Sequence, residues 1–182
     1  TDLTVQGTIT PSACTPSLSA NTIDVGQIPV KDLDQDNRTL LPTATLQMNI
    51  DCEASTLFAL KATDNRLDSN DVGTYGLGKT SAGEVIGGYT MFLDKGVADL
   101  APLYMIPSMN NRATWFRLWE DDLWQKNAII SIQEPGATRV PIPARNTVVE
   151  LSVKPFINPA KNLTLNDDTP IDGSVTMEVA YL

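Results

Sequence analysis

Carboxylates are the side chains of this sequence whose grouping suggests chemistry. Asp64 and Asp68 form one cluster, and Glu120, Asp121 and Asp122 form another. Two carboxylates facing each other across a cleft can cleave a glycosidic bond, one giving a proton while the other acts as base or nucleophile. Nothing in the sequence directs either cluster into a cleft, and a run of three acids reads as a solvated turn or helix end. Asp32, Asp34 and Asp36 alternate like the first ligands of a calcium loop. The sixth position is Asn37 instead of Gly and the twelfth is Thr43 instead of Glu, so the EF-hand pattern fails; an acidic surface loop is the reading, with a looser calcium site as its alternative. The chain has no histidine. It therefore cannot build a Ser-His-Asp or Cys-His arrangement from its own residues, nor a Cys₂His₂ or His₃ zinc site. Dinucleotide, P-loop and G-x-S-x-G motifs are absent. The expectation is a protein that is not an enzyme and uses no cofactor and no metal.

Two further groups remain. Cys14 and Cys52 both lie beside strand-like segments, which suits a disulfide in an oxidising compartment; two buried thiols are the other reading. A bridge would close a loop of about 39 residues, worth about 4 kcal/mol on the chain-entropy model. Trp115, Trp119 and Trp124 are all the tryptophans of the chain. Exposed, they would form a ligand patch able to stack on sugar rings or anchor a protein; buried, they would form a satellite core. The four-residue step from Trp115 to Trp119, with Leu118 beside them, predicts a short helix within 112–125.

The elements that must position these groups are mostly strands. Leu3, Val5, Gly7 and Ile9 alternate with Thr4, Gln6, Thr8 and Thr10, the pattern of a half-buried strand, and Pro11 stops it. Ile23 and Val25, then Leu46, Met48 and Ile50, repeat the alternation. Apolar runs follow at 57–60, 89–93, 128–132 and 148–153. The clearest strand is the last, with Val175, Met177, Val179 and Tyr181 on one face and Ser174, Thr176 and Glu178 on the other. Glycines at 73, 76, 78, 83, 87 and 88 mark a loop-rich middle, while Pro135-Gly136 and Asp172-Gly173 read as turns. Prolines 141, 143, 155 and 159 flank the late strands and argue against helices there. With 182 residues, one domain over 1–182 is expected. Many short strands between turn signals predict an all-β sandwich. No apolar run is long enough to span a bilayer, so membrane insertion is not expected, and any signal peptide is expected to have been removed. The net charge of −9 argues against nucleic acid as a partner.

The sequence also resembles a known family. Val5–Cys14, VQGTITPSAC, resembles the first strand of chaperone–usher fimbrial subunits, with a Gly, an alternating strand and then a cysteine. Leu46–Cys52, LQMNIDC, resembles the pilin strand that carries the partner cysteine. DGSVTMEVAYL resembles the pilin C-terminal strand, with its near-terminal Tyr. Asp64-Asn65-Arg66 and Tyr75-Gly76-Leu77-Gly78 resemble an uncharacterised fimbrial-like branch called GltF-like. The region 79–145 carries no resemblance.

The resemblance implies an immunoglobulin-like, pilin-like Greek-key sandwich lacking its last strand. It also implies a hydrophobic groove beside the C-terminal strand, walled by Val175, Met177, Val179 and Tyr181. A periplasmic chaperone, and later the arm of a neighbouring fimbrial subunit, would fill such a groove by adding a strand. The implied location is the periplasm or the fimbrium at the cell surface, with a chaperone and an usher as partners. Too few residues precede Cys14 for a separate arm if Leu3, Val5, Gly7 and Ile9 form the first strand. The same four residues also suit a donated strand, exchanged between two copies. The leading expectation is a structural or assembly subunit of a fimbria-like fibre that contributes to adhesion; the alternatives are a glycan- or host-binding tip domain and a periplasmic protein of this fold that does not polymerise.

Overall fold

A computed structural model describes residues 1–10, 12–136 and 138–182. Ten strands carry nearly all the regular structure: β1 (Cys14–Leu18), β2 (Thr39–Leu40), β3 (Ala44–Thr56), β4 (Phe58–Asp64), β5 (Tyr75–Gly76), β6 (Gly87–Ala98), β7 (Ala101–Ser108), β8 (Ile129–Gln133), β9 (Ala144–Ile157) and β10 (Val175–Tyr181). Single 3-10 turns occupy Val30–Asp32 and Ala160–Asn162. No helix among the described residues is long and apolar enough to cross a membrane.

The pairings are antiparallel and follow the path β1-β3-β9-β6-β7-β8-β4-β10, with β2 beside β9 and β5 beside β6. The path folds into two layers. One holds β1, β3, β9 and β6; the other holds β8, β4 and β10. β7 belongs to both, because Ala101–Leu103 pair with β6 and Tyr104–Ser108 pair with β8. The chain changes layer a second time at Leu57, between β3 and β4. The result is the all-β sandwich expected from the alternation, nearly closed on itself. Both neighbours of β4 come from late in the chain, so the connections cross over in Greek-key manner.

Alternation decides which side chains meet between the layers. Met48, Ile50 and Cys52 of β3 point inward with Val149 and Leu151 of β9 and Met91 and Leu93 of β6. Phe58, Leu60 and Ala62 of β4 face them, joined by Ile130 and Ile132 of β8. Each fully buried side chain of this size contributes about 1.5–3 kcal/mol. Tyr75 and Tyr89 stack with ring centroids 5.4 Å apart, and the Tyr75 hydroxyl donates to the Trp124 carbonyl at 2.9 Å. Burial pushes both phenols well above the usual tyrosine range, so they act as neutral packing groups.

Three expectations are corrected. Leu3–Ile9 forms no strand: Leu3, Val5 and Ile9 are 90%, 89% and 100% exposed, and the first strand begins only at Cys14. Alternation shows that a segment suits a pleated surface, not which sheet edge will accept it. The stop assigned to Pro11 lies outside the described residues. Ile23 and Val25 also lie outside any strand. Finally, 112–125 is turn and extended chain, not helix. Residues four apart share a face in a strand as well as in a helix, so the tryptophan spacing fits both.

Cys14 and Cys52 sit opposite each other in the β1–β3 ladder and are joined by a disulfide across a sequence separation of 38. Replacing both by Ala is expected to lower unfolding stability by about 4 kcal/mol at most. Urea denaturation, with the slope checked for constancy, measures it; a loss below about 1 kcal/mol would show that loop closure is not what the bridge contributes.

Candidate functional site

The ends of the sheet path, β1 and β10, meet at one point and diverge elsewhere. At the meeting point the Cys14 amide donates to the Tyr181 hydroxyl at 2.9 Å. The Tyr181 carbonyl accepts from Arg112 Nη2 at 2.7 Å, which fixes this end of β10 from a second loop. Away from this point β1 follows β3 to Leu18, while β10 runs back along β4 to Val175. The wedge between them opens into a cavity of about 1220 Å³. Its floor is core: Met48 of β3, Met91 of β6 and Leu151 of β9. Leu18 on one wall faces Val175 and Met177 on the other. Ile23, Val25 and Ile28 follow β1 as one rim; Leu163, Leu165 and Ile171 precede β10 as the other.

Hydrogen-bond parity shows what each wall offers. In an antiparallel strand the N–H and C=O of one residue point to the same side, and successive residues alternate. The Ser174 carbonyl accepts from Asn65 and the Leu182 amide donates to Leu57, so even-numbered residues of β10 face β4. Val175, Met177 and Val179 therefore present their backbone groups to the cavity side, away from β4. On β1 the Ala13 carbonyl and the Ser19 amide bond to β3, so odd-numbered residues face β3. Cys14, Pro16 and Leu18 face the gap, and Pro16 has no N–H to offer. The β10 wall is a complete pairing edge and the β1 wall an interrupted one.

Loop contacts hold the start of β10 in place. The Asp172 amide donates to the Leu77 carbonyl at 2.8 Å, and Arg66 pairs with the Asp172 carboxylate at 2.9 Å. Gly173 is closely packed: a Cβ there would lie 3.0 Å from the Leu77 and Tyr89 side chains, which would have to shift slightly to admit it. Asn65 Nδ2 donates to the hydroxyls of Ser174 and Thr176. The rim before β10 is tied down by Glu84, whose carboxylate accepts from the Thr80 hydroxyl and from the amide and hydroxyl of Thr164. These bonds, led by that of Thr80, hold the Glu84 carboxyl below its usual value.

Of the groove residues expected from the sequence, Val175 and Met177 line the cavity. Val179 packs on the edge of the core, and Tyr181 closes the end through its hydroxyl. The tryptophans do not form one patch. Trp124 is fully buried, Trp115 is half-buried, and Trp119 is exposed. Both rims were missed as walls, because neither continues a regular period; the Ile23–Val25 alternation was their one visible signal.

The acidic clusters hold backbone amides. Asp64 is buried and accepts from the amides of Arg66 and Gly76, with Lys126 Nζ at 3.8 Å. Asp68 accepts from Gly78, and Asp122 accepts from Trp119. Asp34 accepts from the amides of Asp36 and Asn37, which lower its pKa. Among the described residues no group of three or more carboxylates or cysteines is placed to hold a metal ion.

A family described as a protein of unknown function (DUF1120) matches residues 3–75. The match spans Leu3–Ile9, both cysteines and the strands that carry them. The chain is also 26% identical to "Uncharacterized protein YhcF" of Escherichia coli (strain K12) over 215 residues, an alignment covering 98% of this chain and 89% of that protein.

Because the Glu84 pKa is depressed in the fold, the contribution of its contacts is complete above the usual value near 4.5 and is lost as pH falls through the lowered value. Protection of the Thr164 amide against hydrogen exchange, corrected for the intrinsic rate, is expected to drop as pH is lowered from about 6 toward about 2. Glu84→Gln should remove that pH dependence; an unchanged profile in the variant would assign the drop to another group.

Proposed function

We propose that this chain is a structural or assembly subunit of a bacterial fimbria-like surface fibre, and that its cavity between β1 and β10 takes up a β-strand from a partner. The observation that carries this reading is the pairing of a free edge with an apolar slot. Val175, Met177 and Val179 aim their backbone groups away from β4, and the side chains of Val175 and Met177 line a cavity of about 1220 Å³. A strand laid there gains main-chain hydrogen bonds from β10 and side-chain burial on Met48, Met91 and Leu151. An uncovered edge of this kind is a template for unwanted pairing, so a chaperone is the fitting first occupant and a neighbouring subunit the next.

The segment Leu3–Ile9 supplies the complementary feature. It alternates apolar and polar residues, lies outside any strand and holds its apolar side chains in solvent. Exposing Leu3, Val5 and Ile9 costs burial that a second copy's cavity would restore, with Gly7 fitting where a wall approaches closely. The disulfide fits a periplasmic or cell-surface setting. No catalytic step is part of this reading.

The test uses periplasmically produced protein with a co-expressed chaperone of the fimbrial type, and a synthetic Thr1–Thr10 peptide. Complex formation is expected to protect the amides of Val175, Met177 and Val179 from hydrogen exchange. Val175→Asp is expected to weaken peptide or chaperone binding tenfold or more, about 1.4 kcal/mol. A stable monomer with those three amides already protected, and with no affinity for either probe, would overturn the reading.

A further inference from the structure

We propose that Tyr104, Arg117 and Trp119 form a binding platform for a pyranose ring that carries a carboxylate, the acidic sugar unit of a glycan. The site shares no residue with the cavity lining and does not depend on strand uptake.

The platform is made by a short segment that adds to β7. Phe116 donates to the Pro107 carbonyl at 2.9 Å and Leu118 to the Met105 carbonyl at 3.0 Å. Leu118 turns toward the core, so Arg117 and Trp119 stand on the opposite face. Tyr104 of β7 is outward too, between the buried Leu103 and Met105. The Arg117 guanidinium then lies over both rings, 4.6 Å from the Tyr104 centroid and 3.9 Å from that of Trp119. The turn after Trp119 is fixed as well: its amide donates to Asp122 Oδ2 at 2.8 Å and its carbonyl accepts from the Asp122 amide at 3.0 Å.

Two features of this arrangement point to a ligand. Trp119 is 58% exposed although one side of its ring is occupied by the guanidinium, which leaves a held indole surface open to solvent. Arg117 forms no ion pair among the described residues, in a chain with 22 acidic and 13 basic residues. Its Nε is buried without an acceptor. A planar cation held against two rings has lost part of its rotamer freedom, so a carboxylate meeting its remaining donors gains a fork-shaped pair at reduced entropic cost. The aliphatic face of a sugar ring suits the open indole, and the neighbouring exposed Glu120 and Asp121 can accept from sugar hydroxyls.

The experiment titrates the disulfide-bonded protein with sialyllactose, a glucuronic-acid disaccharide and lactose, read by tryptophan fluorescence and by chemical-shift changes of the indole N–H signals. Saturable binding of an acidic sugar is expected, with lactose at least tenfold weaker. Trp119→Leu, which keeps an apolar side chain but no flat ring, and Arg117→Met should each lower affinity tenfold or more while leaving the thermal midpoint unchanged. Arg117→Lys should recover only part of it, because the fork is lost. Absence of saturation by either acidic sugar up to roughly 10 mM, about 2.7 kcal/mol of binding, would overturn the proposal. So would equal affinity for lactose, or full affinity in Trp119→Leu.

Discussion

Cys14 is held from two directions, by its sulfur to Cys52 and by its amide to the Tyr181 hydroxyl. The first bond locks the short strand β1 to β3, which with five residues has little ladder of its own to hold it. The second brings the far end of the sheet path back to its beginning. Everything else about the cavity follows from this junction. Each edge strand is committed to its own layer, β1 to β3 and β10 to β4, and the two layers twist apart from the junction. The rest of the sheet closes through β7 and through Leu57, so the opening is confined to one side.

Much of this fold is legible in the sequence where a strand has one wet face. β3, β9 and β10 keep a two-residue rhythm over long stretches, and 89–93 and 128–132 fall within β6 or overlap β8. β7 is illegible for a physical reason. From Leu103 to Ser108 it is buried at nearly every position because it serves both layers, and it carries Pro102 and Pro107. A strand covered on both faces loses its alternation, and proline argues against a ladder. The candidate site was half legible. Its strand wall follows from Val175 and Met177, while the rims at 23–28 and 163–171 are held by single hydrogen bonds and loop contacts that leave no period. The tryptophan region shows the limit of spacing arguments, since Trp119 and Trp124 end in opposite environments five residues apart.

The carboxylates explain how an acid-rich chain with many loops stays ordered. Asp99 accepts from the amides of Arg145 and Asn146, joining the β6–β7 turn to the start of β9. Asp71 accepts from the amide of Gly73 and the hydroxyl of Thr74, which lower its pKa. With Asp34, Asp64, Asp68 and Glu84, these residues satisfy loop N–H groups that no strand partner reaches. Their clustering in the sequence reflects where loops need acceptors.

Pro16 gives the opening a handedness of use. A strand seated against β10 finds a full row of donors and acceptors there, but on its other flank it meets a row broken at Pro16 and already spent at Cys14. The opening is thus asymmetric, with one full pairing flank along β10 and one interrupted flank along β1.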